Sequence, residues 1–293
     1  LDDCHASGAV TNGAFNNTGG LVGYLEGGSF LSNCHFHGTV RGYIACGGLV
    51  GLNSMGYLDQ TKAQGMILGH SDTGGLVGNH ESGSIRNSRA YMVLICTNAN
   101  GGGLVGFCNS AIFDSAAFGA VTSGNPGGGF VGRLQAGAIS GCFSSNMVGG
   151  TDGGLGGFVG YCYDGSISDC YALGPVDGVS ADNSGGFVGE MKDYGSISSC
   201  YAAGLVTSLG LIGAFAGTQT AGSISDCFVN TNTAGLSLLD GDGISSGIYG
   251  LAPDQMLQQT SFTNWDFSTV WNIQPGTSWP YLRWQGNADI PRP

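Results

Sequence analysis

Charge is scarce in this chain. Asp, Glu, Lys and Arg make up 10% of 293 residues, Lys and Arg together number eight, and Glu occurs only at Glu26, Glu81 and Glu190. The balance is acidic, a net −12. An acidic surface repels phosphate backbones and anionic lipid, which argues against nucleic acid as a partner. Long hydrophobic runs are missing as well. No segment approaches the roughly 18 unbroken apolar residues of a membrane span, so membrane insertion is not expected. Metal-type C-x-x-C spacing, a P-loop and H-E-x-x-H are all lacking. All five His lie at or before His80, which removes the Ser…Asp…His order behind the lone G-x-S-x-G at Gly243–Gly247. There is no initiator Met and no signal peptide. The chain opens inside a repeat at Leu1–Cys4, as expected of a processed piece of a longer protein.

Glycine, by contrast, is abundant. It accounts for 57 residues, while 42% of the chain is hydrophobic. That apolar share is too high for a disordered Gly-rich polymer. The glycines recur in register. G-G-L/F-V-G begins at Gly19, Gly47, Gly74, Gly102, Gly128, Gly156 and Gly185, with a worn copy, G-A-F-A-G, at Gly213. A fixed period of this size marks stacked repeats. It also empties two G-x-G-x-x-G matches, at Gly101–Gly106 and Gly127–Gly132, of meaning as dinucleotide sites, because both are repeat copies with no βαβ unit.

Between these strings lies a second block, I-x-x-C-x-A-x-G-x-V, present nine times. Its first column is Leu1, Leu31, Leu58, Ile85, Ile112, Ile139, Ile167, Ile197 and Ile224, and its last runs from Val10 and Val40 to Val206 and Thr233. Columns this uniformly apolar should point inward. Each period holds apolar runs of about 3–5 residues between turn-forming residues, the signature of short strands, and lacks the runs near 10–12 that helices need. The expected fold is therefore all-β: a parallel β-solenoid of about nine coils of about 28 residues over 1–247, followed by a capping segment over 248–293. All four Trp fall in Trp265–Trp284, and Ala252–Gln259 reads as a short helix with Pro253 near its start. A bulky aromatic segment suits the open end of a solenoid. The apolar residue of the Gly-rich string is Leu in the first four copies (Leu21, Leu49, Leu76, Leu104) and Phe in the next four (Phe130, Phe158, Phe187, Phe215), so the core should widen midway.

The strings G-G-L-V-G and N/D-C-x-x-x-G-x-V, as in Asn33–Val40 and Asp169–Val176, resemble the GLUG repeat family, and Gly250–Met256 with Trp265–Phe267 and Pro280–Leu282 resembles segments that follow such repeats. The resemblance implies a large exported bacterial protein: an adhesin-like surface protein, or an accessory region of an immunoglobulin-A-type metallopeptidase. It implies no catalytic role for the repeats. Ten Cys with few Lys also suit export.

Three sets of residues are candidates for chemistry. The block cysteines Cys4, Cys34, Cys142, Cys170, Cys200 and Cys227 share a column with Thr61, Ser88 and Ser115. Neighbouring coils place them within disulfide range, so they form either a ladder of bonded pairs or a buried stack of free thiols. Cys46 and Cys96 lie in irregular stretches and could pair with each other or with another molecule. The column after Cys should face outward. Its first half is basic (His5, His35, Lys62, Arg89), and its second half is an aromatic strip (Phe143, Tyr171, Tyr201, Phe228). Such a strip is a platform for glycans or a surface protein, or it packs under a loop or against another copy. His5 and His35 fall on adjacent rungs with His37 on the same side, which suggests a two- or three-His metal site, but no further ligand is assigned nearby, and Asp240–Gly243 lacks most of a calcium loop, so no metal and no cofactor are expected. Paired carboxylates suited to glycoside chemistry are not evident. The expectation is a non-catalytic extracellular stalk, filament subunit or adhesin module, its partners other copies or neighbouring domains. The alternative is an accessory region of a large secreted peptidase or glycan-active enzyme.

Overall fold

Residue-for-residue hydrogen bonding between successive repeats converts the periodicity into a structure. The computed structural model describes residues 1–179, 182–232, 238–243 and 246–293. In it the ladder through His5 joins His35, Lys62, Arg89, Ala116, Phe143, Tyr171, Tyr201 and Phe228 in parallel register. The ladder through Val22 joins Val50, Val77, Val105, Val131, Val159, Val188 and Ala216. The chain is a parallel β-solenoid. Nine block copies bound eight complete coils, so the coil count is about eight rather than nine. Thr233, the ninth member of the last apolar column, lies outside the described residues.

Two stacked sheets enclose the core. One carries the strands that follow the Cys column, such as His35–Arg41, and the other carries the strands that follow the Gly pair, such as Val50–Asp59. The first column faces inward: Leu31, Leu58, Ile85, Ile112, Ile139, Ile167 and Ile197 are essentially inaccessible. Phe130, Phe158, Phe187 and Phe215 stack with centroids 4.7–4.8 Å apart and rings within 9° of parallel. That spacing is the strand spacing itself, so Phe on one coil favours Phe on the next. The flank strand also changes midway. It is unbroken in the first five coils, as in Ala116–Ser123, and splits from the sixth, where Phe143–Ser144 and Met147–Gly150 replace it.

The residue before the Cys column turns a corner. Asp3, Asn33, Gln60, Asn87, Asp114, Asp169, Ser199 and Asp226 all have φ between 49° and 54°, and Gly141 has φ 64°. Asn and Asp tolerate this left-handed region best, which accounts for the N/D-C pair. The next side chain then donates back to the carbonyl two residues earlier. Cys34, Cys142, Cys170, Cys200 and Cys227 do so through Sγ at 3.1–3.3 Å, and Ser88 and Ser115 do so through Oγ at 2.6 and 2.7 Å. It also accepts from the coil below: Thr61 N donates to Ser88 Oγ, and Ser88 N to Ser115 Oγ. Any small side chain that donates and accepts fits, which is why Cys, Ser and Thr interchange.

The Gly pair is fixed by contact rather than by φ. A Cβ on Gly156 would lie 2.0 Å from Val159 O, and one on Gly157 would lie 2.1 Å from Gly186 O on the next coil. Both clashes are with backbone, not with the movable end of a side chain. Gly157→Ala is expected to cost at least about 3 kcal/mol, the upper range for overpacking. Gly27→Ala, whose added Cβ meets only Met55 Cε at 3.6 Å, is expected to be near neutral. Urea unfolding of the two variants checks this, and equal midpoints would refute the contact argument.

One core column holds a polar pair. His80 replaces the Leu25, Cys108 or Leu134 of other coils and is fully buried beside Asn53. Its Nε2 donates to Ala111 O at 3.3 Å, and its Nδ1 accepts from Asn53 Nδ2 at 3.1 Å, so this network assigns the neutral Nε2–H tautomer. Burial pushes its pKa down from 6.5 to about 4. The unfolded chain therefore binds a proton that the folded one refuses. The stabilising effect is complete above about pH 6.5 and is lost as pH falls toward 4, in total about 3 kcal/mol. His80→Leu, which restores the column's common residue, is expected to flatten the decline in melting temperature between pH 6.5 and 4. An unchanged slope would remove His80 from the account.

Candidate functional site

The outward ladder that starts at His5 changes from basic to aromatic along its length. Its aromatic half is tightly ordered. Phe143 and Tyr171 stack at 4.8 Å and 5°, and Tyr171 and Tyr201 stack at 5.0 Å and 10°. The expectation that these rings form an exposed platform is corrected by the structure. Phe143, Tyr171, Tyr201 and Phe228 are at most 3% exposed and belong to a second hydrophobic core built with Met256, Phe262, Trp265, Trp271, Trp279 and Leu282. They do point out of the solenoid, but the C-terminal segment lies over them. Burial pushes the Tyr171 and Tyr201 phenols well above their ordinary pKa.

The Trp-rich segment thus caps the flank rather than the end of the stack. Residues Ile248–Leu251 first add one more parallel strand on Cys227–Asn230. The chain then makes two 3-10 turns, Gln255–Leu257 and Gln259–Ser261, where a short helix was expected. It next runs back down the flank through the antiparallel pair Trp271–Asn272 and Tyr281–Leu282. Three indole N–H groups hold three corners. Trp265 donates to Asp226 O at 2.9 Å on the ninth block, Trp271 to Asp169 Oδ1 at 3.1 Å on the seventh, and Trp284 to Gly141 O at 2.8 Å on the sixth. Tyr201 Oη donates to Pro280 O and Tyr171 Oη to Gln285 Oε1, both at 2.8 Å. The descent finishes on the fourth block, where Asp289 Oδ2 meets Arg89 Nη1 at 2.9 Å.

Arg89 is therefore partly covered, whereas His5, His35 and Lys62 continue the ladder beyond the segment. His5 and His35 meet edge to face at 4.6 Å, and Asp3 Oδ1 lies 3.1 Å from His5 Nε2. Beside them runs a second outward column, Ser7, His37, Gln64, Tyr91 and Phe118, of which the sequence alone singles out only His37. No group of three or more His, Cys, Asp or Glu suited to a metal occurs among the described residues. Asp242 Oδ2 of the weak calcium-loop match accepts Gln219 N at 3.0 Å, and Ser245 of the G-x-S-x-G match lies outside the described residues. All ten cysteines are free thiols, Cys4, Cys34, Cys142, Cys170, Cys200 and Cys227 among them, as are Cys46 and Cys96. Burial pushes the Cys170 and Cys227 thiols well above their ordinary pKa, whereas Cys200 between them, with burial opposing, is drawn down to about 6 by its hydrogen bonds with Cys170 and Cys227. The two signals that could have revealed the covered face were both visible. Four Trp in a non-repeating tail need burial, and a solenoid flank with a stacked aromatic column offers it.

Residues 151–177 match the family model for the GLUG motif. No curated protein and no solved structure matches the chain. The matched stretch spans one Asp169–Val176 block, and the strand register makes the other coils copies of it.

If the flank is a second core, its aromatics carry stability. Trp271→Ala is expected to cost about 3–5 kcal/mol, and Tyr171→Phe, which loses only the bond to Gln285, about 1 kcal/mol. Denaturant unfolding followed by far-ultraviolet circular dichroism measures both, and a Trp271→Ala midpoint equal to that of the parent would contradict the covered flank.

Proposed function

We propose that the chain is a non-catalytic structural module of an exported microbial surface protein, working as a stiff spacer or adhesin stalk. The observation that carries this reading is the unbroken in-register stack under a GLUG motif match, which fits a repeat-type structural protein. Eight coils at the strand spacing make a rod of roughly 40 Å. Its stiffness comes from the ladders and from the C-terminal segment, which ties the fourth to the ninth block along one side. The columns that hold the rod together vary little from coil to coil. Specific contacts therefore belong to the outward columns, where the copies differ and where other copies, neighbouring domains, glycans or a surface protein could dock. The scattered carboxylates and the burial of nine of the ten cysteines favour a scaffold over an enzyme.

Export is tested on intact source cells. An antibody raised against this chain is expected to label unpermeabilised cells, and externally added protease is expected to remove the signal. Labelling that appears only after permeabilisation would overturn the surface assignment.

A further inference from the structure

The C-terminal segment stops short of the lower flank, and a groove begins where it stops. Two adjoining hollows, about 390 and 370 Å³, lie there. The first is lined by His5, His35, Lys62 and Phe36, the second by Tyr91, Val93 and Phe118, and His37 and Gln64 form the wall between them. One compartment is basic and the other apolar. Met66 and Val93 are 41% and 46% exposed at its edge.

The chain itself displays what this ladder accepts. On Arg89, one strand above Lys62, the Asp289 carboxylate sits 2.9 Å from the guanidinium, and the Trp284 ring lies 5.6 Å from the same group. A carboxylate and a large apolar side chain from one short segment, Trp284 in a turn and Asp289 closing the 3-10 turn Asn287–Asp289, therefore already occupy one position of a ladder that continues uncovered through Lys62, His35 and His5. A sugar is a poorer fit. Tyr91 and Phe118 stack on each other at 4.6 Å and 3°, and Lys62 Nζ lies 4.8 Å over the Tyr91 ring, so the Tyr91 faces that would stack on a sugar are taken. Edges and aliphatic side chains remain, which suit apolar peptide side chains.

We propose that this groove docks an acidic polypeptide segment, with carboxylates on the basic compartment and neighbouring apolar side chains on Tyr91, Phe118 and Val93, along the continuation of the path taken by residues 284–289. Charge complementarity selects the occupant, because in a chain of net −12, counted with neutral His, this flank carries Lys62 on its open stretch and Arg89, paired with Asp289, at its upper end, while three of the five His add ring N–H donors. The proposal goes beyond the spacer reading and does not depend on where the rod works.

Fluorescence anisotropy with a fluorescein-labelled decapeptide of alternating Asp and Leu tests it on the whole chain. Saturable binding is expected, weakened at least tenfold by Lys62→Gln with His35→Gln and unaffected by Arg133→Gln on the other sheet. Should the double variant melt several degrees lower, Gln64→Glu, which places a like charge on the shared wall, must still weaken binding. The same peptide with Asn for Asp is expected not to bind. Equal binding of the Asn peptide would overturn the proposal, as would parent-like affinity in the folded variants. Lys62-dependent binding of polygalacturonate without binding of the peptide would also overturn it, and would make the groove a polysaccharide site.

Discussion

Every coil must bond to the next at the same residue, and that constraint governs the rest of the molecule. Parallel strands in register put each side chain about 4.8 Å from its own counterpart. A column then holds only residues that tolerate copies of themselves. Phe stacks on Phe from Phe130 to Phe215, and small donors stack on small donors from Thr61 to Cys227. Left-handed corners stack on left-handed corners. The second Gly of each pair follows from the same rule, since a carbonyl of the next coil occupies the space where its Cβ would stand.

The rule explains the inside of the rod but leaves the outside free, and there the chain makes a second decision. Where the flank strand is split, from Phe143 onward, a non-repeating segment lies on it and the outward column is aromatic. Where the strand is continuous, the column is basic from His5 to Arg89 and open from His5 to Lys62, with Ala116 already under the segment's edge. The boundary is shared: Arg89 takes an ion pair from the last part of the segment, and Lys62 begins the open stretch. The change from basic to aromatic along one ladder thus records the reach of a cover rather than a gradient of ligand preference.

Much of the fold was legible because periodicity exposes columns. The solenoid, the inward first column and the Leu-to-Phe change all follow from alignment of the copies. The coil number slipped by one because nine blocks delimit eight intervals. What the copies did not reveal lies where one of them departs from the rest or where the repeat stops. His80 and Asn53 are neighbouring departures in a largely apolar column, and the meaning of His80 depends on Asn53 one coil below. The Asp, Asn, Gln, Gly and Ser before the Cys column look chemically mixed, yet they share one backbone conformation. The burial of Tyr171 and Tyr201 depends on contacts with residues 79 and 114 positions away, which no repeat alignment contains.

The three indole anchors and the Arg89–Asp289 pair also bear on how such an array changes over generations. Tandem repeats readily gain or lose a copy by recombination, and a bare solenoid absorbs the change as a longer or shorter rod. Here the distance from Asp226 to Arg89 is measured against a strap of fixed length. One extra copy within that interval would carry Arg89 a further strand spacing from Asp289 and leave a ring of the aromatic column without its cover. The strap works as a gauge: it freezes copy number beneath it and leaves the first coils, outside its reach, free to multiply.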